Sequence, residues 1–224
     1  MLLRNVILGA SLAVLAGCSA GHSGSRRGKD FYPGLAALKA GNVEGRDYSR
    51  ESYDRGSSVT VFAIHGGDVE LTTSRLARQI ADRDINLYIF NGWLGAESGR
   101  LHITATRFDD PEAVRLATSS VLGISIHAQS GPGRRVCVGG LNSAAAELTA
   151  LRLNAAGFSA EVPCACLPGV SPRNLVNRAS EGGVQLEITL SLLKRLESSP
   201  SDLSEFSNAV RNAVFDYLHT PKKR

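Results

Sequence analysis

The chain has 224 residues, with 25 Lys and Arg against 21 Asp and Glu, a formal net charge of +4, and 43% hydrophobic residues. The positive charges are scattered and lack interleaved aromatic residues, which argues against a nucleic-acid groove. A modest basic excess of this kind suits an anionic substrate or a membrane surface instead.

Residues 1–17 read as an export signal rather than as fold. Arg4 supplies a short positive region, and residues 6–16 are apolar with small residues at their end. That stretch is too short to span a bilayer, which takes about 20 apolar residues. It ends Leu15-Ala16-Gly17-Cys18, which resembles the lipobox of bacterial lipoproteins. The resemblance implies lipidation at Cys18 and anchoring to the cell envelope. Ser19 after the cysteine resembles lipoproteins sorted to the outer membrane of a Gram-negative host, facing the periplasm. Residues 18–29 then form a lipidated cysteine and a Gly/Ser-rich basic tether, and residues 30–224 a single domain. About 190 residues are enough for one sizeable core.

Along the domain, strand-like and helix-like segments alternate. Val59-Thr60-Val61-Phe62-Ala63-Ile64 predicts a strand that runs into His65-Gly66-Gly67-Asp68-Val69-Glu70. Thr72-Thr73-Ser74 offers caps for a helix through Ile80. Residues 86–90 predict a strand ended by Asn91-Gly92, and Pro111 opens a helix over 112–117. The apolar run 121–126 predicts a strand that ends at His127. A short strand over 135–138 stops at Gly139-Gly140, and Asn142 or Ser143 caps a long helix closed by Gly157. A strand over 160–163, a short helix over 174–179 and a last strand over 184–190 follow. Ser199-Pro200 starts the final helix, in which Leu203, Phe206, Val210, Val214 and Leu218 recur at helical spacing. Apolar strands alternating with helices predict an α/β fold with a central, largely buried mixed sheet flanked by helices. In such sheets ligands gather at the carboxyl ends of the strands, where His65 and His127 fall.

With Cys18 assigned to the anchor, Cys137, Cys164 and Cys166 remain. Cys164-Ala165-Cys166 is too short to close on itself, so a disulfide is expected from Cys137 to one of that pair. The absence of CxxC spacing argues against a zinc site there.

His65 and His127 at strand ends, with acids close by, are what a catalytic zinc needs: about three protein ligands and an open position. Period-2 alternation places Val61, Ala63 and His65 on one face, and Gly123, Ser125 and His127 on one face. Gly66-Gly67 permits a tight turn that returns a carboxylate, either Asp68 or Glu70, toward His65, and spacing alone favours Asp68. Glu187 lies opposite Leu186 and Ile188 on an apolar strand; buried there, its charge needs a metal or a partner such as an arginine. Ser171-Pro172-Arg173-Asn174 and Asn177-Arg178, with His102 and Arg107 in a preceding loop, supply groups suited to substrate carboxylates. Nothing resembles a serine nucleophile elbow. The residues therefore point to a metallohydrolase.

Several pieces in order resemble the poly-γ-glutamate hydrolase family: Gly45-Arg46-Asp47-Tyr48; His65-Gly66-Gly67 with Glu70; Leu101-His102-Ile103-Thr104 through Arg107-Phe108-Asp109 and Pro111; Ser125-Ile126-His127; Gly139-Gly140-Leu141; Pro172-Arg173-Asn174 with Asn177-Arg178; and Gly183-Val184-Gln185-Leu186-Glu187. The chain departs from the pattern at Ile64, where a proline commonly precedes the histidine. The resemblance implies a carboxypeptidase-like fold, one zinc ion per chain and cleavage of γ-glutamyl amide bonds. It places the zinc on His65, Glu70 and His127, setting aside the spacing preference for Asp68. It matches Glu187 to the strand-borne catalytic glutamate of carboxypeptidase-like enzymes, the general base, and a nearby arginine, Arg107 or Arg173, is expected to stabilise the oxyanion with the metal. Arg173 and Asn174, by analogy with the wider fold, grip substrate carboxylates, together with His102 and Arg178. The competing expectation is an envelope lipoprotein that binds anionic peptides or polymers without cleaving them.

Overall fold

The structure is a computed structural model and describes residues 30–221; the export signal, Cys18 and the tether lie outside the described residues. Seven strands form one mixed sheet: β1 (Tyr48–Tyr53), β2 (Val59–Gly67), β3 (Asn86–Gly92), β4 (Leu122–Gln129), β5 (Arg135–Gly139), β6 (Ser159–Glu161) and β7 (Gly183–Thr189). Their order across the sheet is β1-β3-β2-β4-β7-β5-β6. The four central strands β3, β2, β4 and β7 run parallel, β1 pairs antiparallel with β3, and β5 pairs antiparallel with β7.

The helices are α1 (Leu35–Gly41), α2 (Thr73–Ala81), α3 (Pro111–Ser119), α4 (Ser143–Ala155), α5 (Leu190–Ser198) and α6 (Pro200–His219), with two 3-10 turns at Gly95–Leu101 and Leu175–Arg178. They cover both faces of the sheet, as its near-continuous apolar strands require. On one face Val61, Ala63, Ile124, Ile126, Leu186 and Ile188 pack against Leu76, Leu153, Leu193 and Phe206 from the helices. On the other face Phe62, Ile64, Tyr88 and Phe90 meet Leu38, Phe108, Leu116 and Val176. Each such side chain contributes roughly 1.5–3 kcal/mol when taken fully out of water.

Local chemistry sets the helix ends. Asp110 caps α3 by accepting from the N–H groups of Glu112 and Ala113 at 3.0 and 3.5 Å, with Pro111 in the first turn. Ser199 accepts from Asp202 N–H at 3.3 Å and starts α6, whose Leu203, Phe206, Val210 and Val214 are buried. Cys137 on β5 is bonded to Cys164, which settles which member of the Cys164/Cys166 pair it takes. Among the described residues no helix is long and apolar enough to cross a membrane.

Several expectations shift. The strand expected over 160–163 is Ser159–Glu161, and the short helix over 174–179 is a 3-10 turn of four residues. α1 and β1 were not expected. β1 reads Tyr-Ser-Arg-Glu-Ser-Tyr, an edge strand in which only Tyr48 is buried, so it lacks an apolar run. α5 follows β7 with no intervening loop, which hides the boundary inside one apolar stretch.

The largest departure concerns His65. Between Ala63 and Gly66, β2 advances three residues while β3 advances two, from Ile89 to Asn91. One extra residue in β2 breaks the alternation and re-aims His65, as bulges beside functional sites do. His65 therefore does not share the face of Val61 and Ala63. Instead its ring comes within 3.2 Å of His127, which lies opposite the Ile124–Ile126 side of β4. Two glycines bring the second 3-10 turn down onto this same face. A Cβ at Gly123 or Gly183 would meet the Val176 carbonyl oxygen at 2.5 or 2.4 Å.

Candidate active site

His65, His127 and Glu187 occupy equivalent places on neighbouring parallel strands, each two residues before the last residue of β2, β4 and β7. All three are buried. His127 and Glu187 are in register across β4 and β7, so their side chains leave the sheet on one face, one strand spacing of about 4.8 Å apart. Glu70 returns after Gly67, whose φ of +65° and 2.4 Å Cβ approach to the Gly92 carbonyl only glycine tolerates. The backbone N–H of Ala128 holds Glu70 by donating to Oε2 at 3.0 Å.

The hydrogen-bond pattern of His65 tests whether a metal fits. Its Nε2 lies 2.9 Å from the Ile103 carbonyl oxygen, an acceptor, so Nε2 carries the hydrogen and Nδ1 presents a lone pair. That lone pair faces Glu70 Oε1 at 3.0 Å and His127 Nδ1 at 3.2 Å. Glu70 Oε2 lies 3.6 Å from His127 Nδ1, and the buried Nε2 of His127 has no partner. The His65 lone pair and the Glu70 carboxylate are both acceptors, and a cation between them reconciles the contact; a ring N–H donated to a backbone carbonyl is how metal-bound histidines are oriented. One ligand atom from each of His65, Glu70 and His127 lies within 4.8 Å of the others. The donor set, two imidazoles and a carboxylate, is that of catalytic zinc. Asp68 is not in this cluster: it is exposed and accepts from Gly95 N–H at 3.0 Å.

Electrostatics separate the two buried glutamates. Burial raises the Glu70 carboxyl, but the His65 and His127 rings outweigh it and hold the group well below the usual carboxylate range. Glu187 goes the other way: burial, then the Glu70 charge, push it well above that range. Gln185 donates to Glu187 Oε1 at 2.9 Å, and among the described residues no cation pairs with Glu187. The arginine partner considered for it is therefore not found among the described residues.

His102 lies against this centre, Arg107 and Asn174 connect to it through Asp30 and Gln185, and no contact joins Arg173 or Arg178 to it among the described residues. The His102 ring stacks on His65 with centroids 4.0 Å apart. First the electrostatic influence of the neighbouring His65 ring and then burial bring His102 down to about 4. Asp30 gathers His102 and Arg107: its carboxylate accepts from His102 Nδ1 at 3.0 Å, from Thr104 N–H and Oγ1 at 2.8 and 3.0 Å, and from the Arg107 guanidinium. Arg173 is exposed and Arg178 half-buried at the end of the second 3-10 turn; neither has an ion-pair partner among the described residues. Asn174 is buried with its amide engaged inside the protein, by Gln185 Oε1 at 2.7 Å and the Gly169 carbonyl at 3.2 Å.

Asp30 and Gln185 were not singled out from the sequence. Asp30 sits at the edge of the tether with no motif around it. Gln185 carries one usable signal, its place two residues before Glu187 and so on the same face of the strand.

Residues 32–219 match the family described as poly-gamma-glutamate hydrolase. Among curated proteins, UPF0714 protein YndL of Bacillus subtilis (strain 168) is 34% identical over 171 residues, covering 75% of this chain and 67% of YndL. The SPbeta prophage-derived UPF0714 protein YoqZ of the same strain is 35% identical over 194 residues, covering 84% of this chain and 69% of YoqZ. Among solved structures, a bacteriophage poly-gamma-glutamate hydrolase superposes with a TM-score of 0.80 at 29% identity, covering 85% of this chain and 99% of that one. A zinc-free form of YndL gives 0.77 at 29% identity, covering 84% and 99%. With nearly the whole described domain matched in sequence and in fold, the chain belongs to the poly-gamma-glutamate hydrolase family.

Proposed function

We propose that this protein is a zinc-dependent hydrolase of γ-glutamyl amide bonds, in poly-γ-glutamate or related peptides, with one zinc ion held by His65, Glu70 and His127. The observation that carries this reading is the unreconciled meeting of the His65 lone pair with the Glu70 carboxylate, with His127 alongside, next to a buried glutamate that no cation pairs with among the described residues. When bound there, zinc supplies Lewis acidity toward water and the substrate carbonyl.

The chain's own residues do the rest. Glu187 stands next to His127 on the same face and takes the proton of the attacking water as the O–C bond forms. It then returns that proton to the amide nitrogen as the C–N bond breaks. A carboxyl raised by burial is poised to hold a proton between these two steps. Arg107, held by Asp30 together with His102, supports the negative charge developing on the carbonyl oxygen, and His102 lines the approach. Arg173, exposed, and Arg178, half-buried, supply cationic contacts for a polyanionic substrate.

The sequence Leu15-Ala16-Gly17-Cys18 supports a lipid-anchored place in the cell envelope. There, Cys18→Ala should release the protein from the membrane fraction with hydrolysis intact.

Metal analysis of the purified protein, paired with hydrolysis of poly-γ-glutamate, tests the central reading. One equivalent of zinc, with activity lost on chelation and restored by zinc, is the expected result. Full activity in a metal-free preparation would remove the metal from the mechanism. A zinc-loaded protein that binds the polymer without shortening it would leave a binding protein.

A further inference from the structure

A chain of amides leads from the loop at 167–174 into Glu187, and its direction is fixed. Asn174 Nδ2 lies 3.2 Å from the Gly169 carbonyl oxygen, which can only accept, so the nitrogen of Asn174 is the atom on that side. The same nitrogen lies 2.7 Å from Gln185, which must therefore present Oε1. The Leu167 carbonyl oxygen, 3.4 Å from the other end of the Gln185 amide, independently requires Nε2 there. Gln185 Nε2 then has one further direction, and in it lies Glu187 Oε1 at 2.9 Å. Asn174 Oδ1 is taken in turn by the Val176 N–H at 3.4 Å.

The surrounding loop is built to hold this chain. Asn177 donates to the carbonyls of Gly169 and Ser171 at 2.6 and 2.8 Å and accepts from Leu141 N–H at 3.0 Å. Gly169, at φ +65°, presses its backbone onto the Gln185 amide; a Cβ there would come within 2.8 Å of it. Asn174, Gln185 and Glu187 are all buried, so water does not compete for these bonds.

We propose that Gln185 is a positioning residue for Glu187, with Asn174 fixing the direction of its amide, so that Glu187 Oε1 is committed as an acceptor and Oε2 is the oxygen that takes and returns the proton. The inference rests on the reading of Glu187 as the general base. An amide suits the place because it orients the carboxylate without offering a proton of its own: Gln185 can neither drain the proton from Glu187 nor repel its charge. Asn174 then acts through Gln185 and not on substrate.

Gln185→Met keeps the length of the side chain and removes the amide. It should lower kcat on poly-γ-glutamate about 10–100-fold, the usual effect of losing a partner one shell out from a metal site, with KM and zinc content unchanged. Asn174→Asp presents only acceptors to Gln185, which turns its nitrogen away from Glu187, and should give the same split. The decisive comparison repeats Gln185→Met in a Glu187→Asp background, where the shortened carboxylate no longer reaches Gln185. There the second change should alter kcat by less than about twofold, because coupled residues do not add. An equal loss in both backgrounds, a rise in KM alone, or wild-type kcat in Gln185→Met would each overturn the proposal. So would failure of both Gln185→Met and Asn174→Asp to fold, which assigns the pair to stability. Near-normal turnover by zinc-loaded Glu187→Gln would instead sink the underlying reading of Glu187, a distinct result.

Discussion

Asp110, at the start of α3, and Glu70, after β2, are both carboxylates largely withdrawn from water, and both are held below their ordinary range. Their neighbours differ. Asp110 meets Lys39 Nζ at 2.9 Å, Arg50 Nη1 at 2.8 Å and the N–H groups of its own helix. Burial would raise it, and the two permanent cations outweigh that cost. Glu70 has one backbone N–H from Ala128 and two imidazoles, one turning a lone pair toward it. The first cluster is electrostatically complete with protein groups alone. The second is complete only when a proton or a metal ion supplies positive charge on the imidazole side. A closed cluster holds the fold, and an open one marks where something binds.

The sharpest way to break that contrast is to remove an imidazole. His65→Ala or His127→Ala should lose zinc and hydrolysis together, to background, while the fold persists; metal content by mass spectrometry and circular dichroism check both. Zinc retained at full stoichiometry in either variant would remove that histidine from the set that holds the metal. Next in size is Glu187→Gln, which keeps volume and hydrogen bonding. It should retain zinc while turnover falls roughly 10²–10⁴-fold, the worth of a positioned proton-transfer group.

The closed cluster should respond in stability alone. Asp110→Asn leaves Lys39 and Arg50 facing a neutral amide and should cost about 1.5–3 kcal/mol, the range for hydrogen bonds to charged groups, with kcat unchanged. Because the folded carboxyl of Asp110 is lowered from 3.8, its contribution is full above that pH and is lost as pH falls through the lower folded value. Denaturation followed against pH should therefore show the gap between wild type and variant closing in acid. A gap that widens in acid, or a fall in kcat at neutral pH, would mean that Asp110 reaches the active site.

Much of this was legible before the fold was known, for reasons particular residues show. The central strands announced themselves because both faces are buried, so Val59, Val61, Ile124 and Leu186 sit in unbroken apolar runs. His65 and His127 stood at the ends of those runs, where parallel sheets present their ligands. β1 stayed hidden because an edge strand with one buried side chain has no apolar signature. The bulge that turns His65 toward His127 was invisible for another reason: it depends on how β2 pairs with β3, and pairing is not a property of either strand alone. Asp30 and Gln185 escaped similarly, since each acts through a neighbour that only the fold supplies.

The smallest expected effect decides between two ways of reading the turn after His65. Spacing favoured Asp68 as the returning carboxylate, and family resemblance favoured Glu70. In the fold, Asp68 is exposed and its carboxylate accepts from Gly95 N–H, tying the turn to the first 3-10 segment. Removing an exposed acceptor of this kind costs about 0.5–1.5 kcal/mol at most. Asp68→Ala should therefore keep its zinc and its kcat and lose a few degrees in melting temperature. Glu70→Ala should lose zinc, because it removes a carboxylate that faces both histidines and is oriented by Ala128. Measured side by side, zinc stripped by Asp68→Ala and retained by Glu70→Ala would reassign the third ligand. It would also mean that the turn closes differently around the bound metal, with Gly67 swinging Asp68 inward.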